Sequence, residues 1–128
     1  SFNELKRDGD EVSRWNLLHP DKKARQCHVS KCLESTEGPV VAATDYVKLF
    51  ADQIRAYVPR SYAVLGTDGF GRSDSREALR KHFEVDRYYI TIAALNELVG
   101  EGGISAKTVK AAIKKYGIDS EKNNPLLS

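Results

Sequence analysis

Apolar positions along the chain change period several times, and each change marks an element boundary. Phe2, Leu5, Val12, Trp15 and Leu18 recur at roughly helical spacing and predict an amphipathic helix over residues 3–18. Gly9 sits in its middle and weakens it. Leu18-His19-Pro20 ends it, because proline disfavours helical geometry in the residue before it. Residues 20–38 are charged, then mixed, and close on Glu34-Ser35-Thr36-Glu37-Gly38, which reads as a surface excursion with room for one short strand. The run 39–43 is nearly all apolar and suits a buried strand. Thr44 or Asp45 is placed to cap a helix over 46–57, whose stripe is Val47, Phe50, Ile54 and Tyr57. Residues 62–66 form a second buried strand, which runs into a glycine-rich loop over 66–72. Ser73 or Asp74 caps a helix at about 75–83, and Asp86 caps another over 87–99. Ser105 caps the last, 106–116, with Gly117 at its end.

This order predicts about five helices and two strands. Strand–helix alternation implies a parallel sheet with helices on both faces, hence an α/β, three-layer α/β/α unit. Two parallel strands cannot shield each other's edges. The sheet is therefore expected to be truncated at its N-terminal side, with residues 1–128 forming a single, partial domain.

Composition narrows the functional classes. The chain is 41% hydrophobic and 30% charged with a formal net charge of +2. That balance suits an ordinary globular domain and gives no basic stripe of the kind a nucleic-acid surface needs. The apolar runs are far shorter than the roughly 20 residues of a membrane span. Two cysteines, Cys27 and Cys32, make no disulfide framework and favour a reducing compartment.

The strongest local feature is Leu65-Gly66-Thr67-Asp68-Gly69-Phe70-Gly71-Arg72-Ser73-Asp74-Ser75-Arg76, a strand, a loop with three glycines and a capped helix. In open α/β sheets, ligands gather beyond the carboxyl ends of strands. Arg72 and Arg76 could offer bidentate contacts to an anion. The candidate interface or anion loop is therefore Asp68, Gly69, Phe70, Gly71, Arg72, Ser73, Asp74 and Arg76. The opposing reading is that the glycines only permit a turn, while Asp68 and Asp74 cap helices and pair with the arginines. The spacing matches neither dinucleotide-binding nor phosphate-loop patterns. Cys27, His28, Cys32 and His19 lack the paired close spacings of a tetrahedral zinc site, so no metal ligand is assigned. No nucleophile–base constellation is evident, so no catalytic residue is assigned either. His82, late in a helix, reads as structural. Lys107, Lys110 and Lys114 share a helix face that reads as solvated. Trp15 reads as packing against the sheet.

Three stretches carry a resemblance: Phe2-Asn3-Glu4-Leu5 through Arg14-Trp15-Asn16-Leu17-Leu18-His19-Pro20; Ala43-Thr44-Asp45-Tyr46-Val47-Lys48-Leu49-Phe50-Ala51; and Val64 to Arg76, followed by His82-Phe83-Glu84-Val85-Asp86. Together they resemble the C-terminal domain of the homodimeric-type pyruvate dehydrogenase decarboxylating component, a transketolase-like, thiamine-diphosphate-dependent family. The resemblance runs from about Ser1 to Pro125. It implies a cytoplasmic, bacterial parent enzyme that binds thiamine diphosphate through Mg²⁺, decarboxylates pyruvate and acetylates the lipoyl group of an acyltransferase component. It also implies that the cofactor motifs belong to two preceding domains. No catalytic or cofactor-binding residue then falls on this chain, and no cofactor is expected to bind it. Its partners would be those preceding domains and the second subunit, with no nucleic acid and no membrane. A self-standing anion-binding regulatory module using residues 66–76 is the alternative.

Overall fold

The helix expected at the start forms over Phe2–Leu18 (α1), and the Ser1 hydroxyl caps it by accepting from the Glu4 N–H at 3.3 Å. Gly9 has a purpose the sequence pattern does not reveal. It is buried, and the Tyr57 ring lies where a Cβ would stand. The computed structural model describes residues 1–68 and 75–127.

The segment 20–38 departs from expectation. It holds no strand but a short helix, His28–Leu33 (α2). Val29 and Leu33, one turn apart, face the core beside buried Cys27. The Asp8 carboxylate of α1 accepts from the His28 N–H at 2.7 Å, so one of the unpaired amides at the helix start gains a partner. Trp15 also departs from expectation. It does not lie on the sheet but stacks on His19, ring centroids 4.2 Å apart, with the Arg25 guanidinium 3.6 Å from its centroid. Asn16 fixes that arrangement, bonding both the N–H and the C=O of Arg25.

Two strands form, Val40–Ala43 (β1) and Tyr62–Leu65 (β2), paired in parallel from Val40↔Tyr62 to Ala43↔Leu65. Between them lie Lys48–Asp52 (α3) and a 3-10 turn at Arg55–Tyr57, so the expected helix 46–57 is broken in two. Then come Arg76–His82 (α4), Arg87–Gly100 (α5), Ala106–Lys115 (α6) and a 3-10 turn at Pro125–Leu127. Helix α5 lies against both strands, whereas Val40, Ala42, Tyr62 and Val64 face a core of Cys27, Val29, Ile54 and Val58 roofed by α1 and α2. The molecule is thus α/β, with helices on both faces of a parallel sheet.

One expectation about the strands fails. Of their eight residues only Tyr62 is buried; six are half-buried and Ala43 is exposed. The geometry explains it. Among the described residues no third strand flanks β1 or β2. Val40 and Thr44 direct their N–H groups to β2, so those of Val41 and Ala43 point away from it. An open, almost wholly apolar groove of about 310 Å³ is lined by Phe2, Leu5, Leu33, Val40, Ala42 and Val58.

Candidate functional site at the carboxyl end of the sheet

The segments that leave the two strands are fastened to each other. Thr44 donates its N–H to the Leu65 carbonyl at 3.0 Å, and Thr67 donates its N–H to the Tyr46 carbonyl at 2.8 Å. The Thr67 hydroxyl donates to the Asp45 carbonyl at 2.7 Å. Asp68 accepts from the Lys48 N–H at 2.7 Å and so caps α3 from 20 residues away. The local caps expected for that helix, Thr44 and Asp45, do not serve. Val47 occupies the N-cap and has no side-chain oxygen, while the Thr44 hydroxyl closes a turn by accepting from the Tyr46 N–H. Gly66 makes the approach possible, since a Cβ there would stand 2.7 Å from the Lys48 nitrogen.

Beyond the undescribed residues 69–74, Ser75 caps α4, its hydroxyl accepting from the Ala78 N–H. The expected caps, Ser73 and Asp74, lie outside the described residues. Asp86 caps α5 as its spacing implies, accepting from the N–H groups of Tyr88 and Tyr89. Ser105 stands at the N-cap of α6, but its hydroxyl faces Thr108 rather than a backbone amide. Between β1, α4 and α5 opens a pocket of about 740 Å³, lined by Ala43, Thr44, Asp45, Arg76, Glu77, Arg80, Asp86, Arg87 and Tyr88. Among the described residues its charges are balanced, three arginines against Asp45, Glu77 and Asp86. Arg80 approaches Asp45 at 3.5 Å, and Arg87 donates to the Tyr88 hydroxyl oxygen at 2.8 Å. That bond raises the Arg87 guanidinium still further above its ordinary pKa. Burial, with Glu84 and Asp86 nearby, raises the phenol of Tyr89.

The chain end folds back over this region. Lys122 donates to the His82 carbonyl at 2.8 Å and pairs with Glu84 at 3.2 Å. Glu84 has φ +63°, a left-handed conformation rare outside glycine, and the Val85 N–H bonds back to the Arg80 carbonyl. His82, at the end of α4, sets its ring edge-on to Phe83.

Of the residues singled out from sequence, Asp68 is a helix cap and Arg76 opens α4 at the pocket's lip. Gly69, Phe70, Gly71, Arg72, Ser73 and Asp74 lie outside the described residues. Asp45, Arg80 and Arg87 were not anticipated. The i,i+4 spacing of Arg76 and Arg80 was the available clue, because it sets both on one face of a helix. The Cys27 thiol meets the Ser30 hydroxyl at 3.2 Å, and Cys32 faces His28 Nε2 at 3.4 Å.

A parallel α/β unit whose strand ends are tied by a Gly-Thr-Asp turn defines the class, and comparison with known families agrees. Residues 1–86 match the family described as transketolase-like TK C-terminal domain, and the chain belongs to that family. Over 98% or more of its length it is similar to bacterial proteins named pyruvate dehydrogenase E1 component. Identity is 60% over 126 residues to the protein of Cupriavidus necator, 60% over 127 residues to that of Pseudomonas aeruginosa, and 54% over 129 residues to that of Escherichia coli K12. The chain spans 14% of the length of each of these relatives. None of the described helices is long and apolar enough to cross a membrane.

Proposed function

We propose that this chain is the C-terminal, non-catalytic part of a homodimeric-type pyruvate dehydrogenase subunit, and that it serves domain and subunit packing. The parent would decarboxylate pyruvate oxidatively and acetylate lipoyl groups of an acyltransferase partner in a bacterial cytoplasm. The observation that carries this is the end-to-end similarity, at 54–60% identity, to proteins of which the chain makes up one-seventh. The half-buried strands and the open apolar groove support it, because both suit a sheet continued by polypeptide outside these residues.

The described residues do not fit thiamine diphosphate and Mg²⁺. Beside a diphosphate, magnesium takes one or two carboxylates with phosphate oxygens and water, and the carboxylates nearest the arginines are engaged, Asp45 with Arg80 and Asp86 with the start of α5. No group of three or more His, Cys, Asp or Glu positioned to hold a metal exists among the described residues. In the arginine-lined pocket Asp45, Glu77 and Asp86 would oppose a diphosphate. On this reading the cofactor belongs to other domains of the parent. Titration calorimetry of the isolated chain with thiamine diphosphate and Mg²⁺ should give no heat of binding at micromolar concentrations. Saturable micromolar binding would overturn the reading.

A second reading has its own observation in that pocket, which Arg76, Arg80 and Arg87 line beside Asp45, Glu77 and Asp86 near the carboxyl end of β1. It makes the chain an anion-binding regulatory module. A ligand that binds only the native state raises its stability by RT ln(1 + [L]/Kd). Unfolding curves that stay fixed across millimolar phosphates and dicarboxylates would remove this alternative.

A further inference from the structure

We infer that the ledge formed by Tyr46, Val47 and Leu49 is the seat of the preceding domains of the same subunit. This rests on the proposed membership of a longer subunit, and adds which face does the packing and with what.

Tyr46, Val47 and Leu49 are 67%, 54% and 72% exposed, three large apolar side chains within four consecutive positions. Clustered exposure of this kind marks interaction surfaces, whereas single exposed apolar residues are ordinary. Other faces of the molecule look different. The outside of α1 carries the ion pairs Lys6–Asp10 and Arg7–Glu4, and the outside of α6 shows Lys107, Lys110 and Lys114. Apart from Leu17 and Leu18, 76% and 55% exposed in the last turn of α1, those faces are built for water.

The ledge is also held still. Thr67 binds the backbone of Asp45 and Tyr46, and Asp68 binds that of Lys48. From beneath, Phe50 supports the Tyr46 ring at 5.2 Å and itself rests edge-on against Phe2 at 5.4 Å. A surface fixed before contact loses little conformational freedom on contact.

Size selects the occupant. Counted on both partners, contact over three side chains buries on the order of several hundred Å², well below the roughly 2,000 Å² or more of an obligate homodimer. Domain contacts within one chain run smaller, about 600–1,500 Å². Tethering supplies an effective concentration near the millimolar range, so a modest apolar contact suffices. The relatives extend about seven times the length of this chain, so a tethered neighbour of ample size is at hand. The neighbour's matching surface is apolar, with a carbonyl or carboxylate at its rim for exposed Lys48.

Hydroxyl-radical footprinting of the full-length parent subunit tests this without altering the fold. Oxidation of Tyr46 and Leu49 in the native protein is compared with oxidation in the same polypeptide unfolded in denaturant. Tenfold or greater protection at both residues is expected, and it should persist when the parent is diluted to monomers. Protection below twofold overturns the inference. Protection that vanishes on dilution also overturns it, because the occupant is then a second copy. If the ledge is open although the intact mass shows a polypeptide several times the length of this chain, the parent reading survives and the ledge assignment falls. If the intact mass of the native polypeptide matches this chain alone, both fall.

Discussion

The two ends of the sheet hold together by different means. Around α1, α2 and the Arg55–Tyr57 turn, side chains from distant parts of the chain interlock: Cys27, Val29, Ile54, Val58 and Tyr62 are buried together, and Tyr57 presses on Gly9. At the carboxyl end of the strands, order comes from hydrogen bonds between two turns, while large apolar side chains face outward. Stability should therefore reside mainly in the first region. The second spends apolar surface on display, which is the usual mark of a contact face.

The sharpest way to break this contrast is to truncate one apolar side chain in each region. Ile54 is 4% exposed, and Ile54→Ala should lower unfolding free energy by about 2–5 kcal/mol through lost burial and a residual cavity. Leu49→Ala should stay within about 0.5 kcal/mol. Denaturant titration reads both, and comparable losses would erase the distinction. The glycines sharpen it further. Gly66→Ala sets a methyl 2.7 Å from backbone nitrogen and 2.9 Å from the Cα of Lys48, so two turns must part. A loss of about 1–3 kcal/mol is expected. Gly9→Ala drives a methyl into the Tyr57 ring, which can move aside only by giving up its bond to Asp10. The better helix propensity of alanine offsets about 1 kcal/mol of that clash. Both variants should unfold at lower temperature, and an unchanged Gly9→Ala would show that the Tyr57 ring is not held in place.

Next in size is Asp68. Its carboxylate supplies the cap that Val47 cannot, so Asp68→Ala should destabilise by about 1 kcal/mol, within the range for helix caps. Hydrogen exchange at Lys48 should quicken in the same variant. An unchanged Lys48 amide would mean that the two turns are not coupled through this bond.

Much of the fold was legible in the sequence. The 3.6-residue stripe of α1, the two short apolar runs, the cap at Asp86 and the Ser105-to-Gly117 bounds of α6 are local signals, and each element forms near where it was expected. What escaped is non-local. No property of Gly9 announces a ring arriving from Tyr57, and no local spacing tells that Asp68 caps a helix 20 residues back. The Val29–Leu33 pair was too brief a stripe to declare α2 among the charges around it. Trp15 looked like a core residue because aromatic burial is the common case, yet Arg25 and Asn16 fold the excursion over it instead. The candidate loop was half readable: Gly-Thr-Asp marked a turn, but the partners of that turn came from the other strand.

The smallest expected effect concerns pH and belongs to the first region. Tyr57 donates to Asp10, which also accepts from Lys6 at 2.7 Å. The Lys6 bond, then the Tyr57 bond, hold the Asp10 carboxyl below its ordinary pKa. The bond to Asp10, aided by burial, holds the Tyr57 phenol above its own. A depressed carboxyl contributes stability above its ordinary range and loses it as pH falls through the lowered value. A raised phenol contributes below its ordinary range and loses it as pH rises toward the raised value. Asp10→Asn should therefore flatten the acid limb of the stability profile and weaken the alkaline one. Tyr57→Phe should flatten part of the alkaline limb while leaving most of the acid limb, because Lys6 remains. Some alkaline loss should survive in both variants, since burial also raises the phenol of Tyr62, which donates to the Ala51 carbonyl. Because Lys6 and Asp10 stand at the surface, added salt should shrink the acid limb. Denaturation midpoints measured against pH for the three proteins decide it. Parallel curves would show that the Lys6–Asp10–Tyr57 cluster contributes no stability to the α1 face.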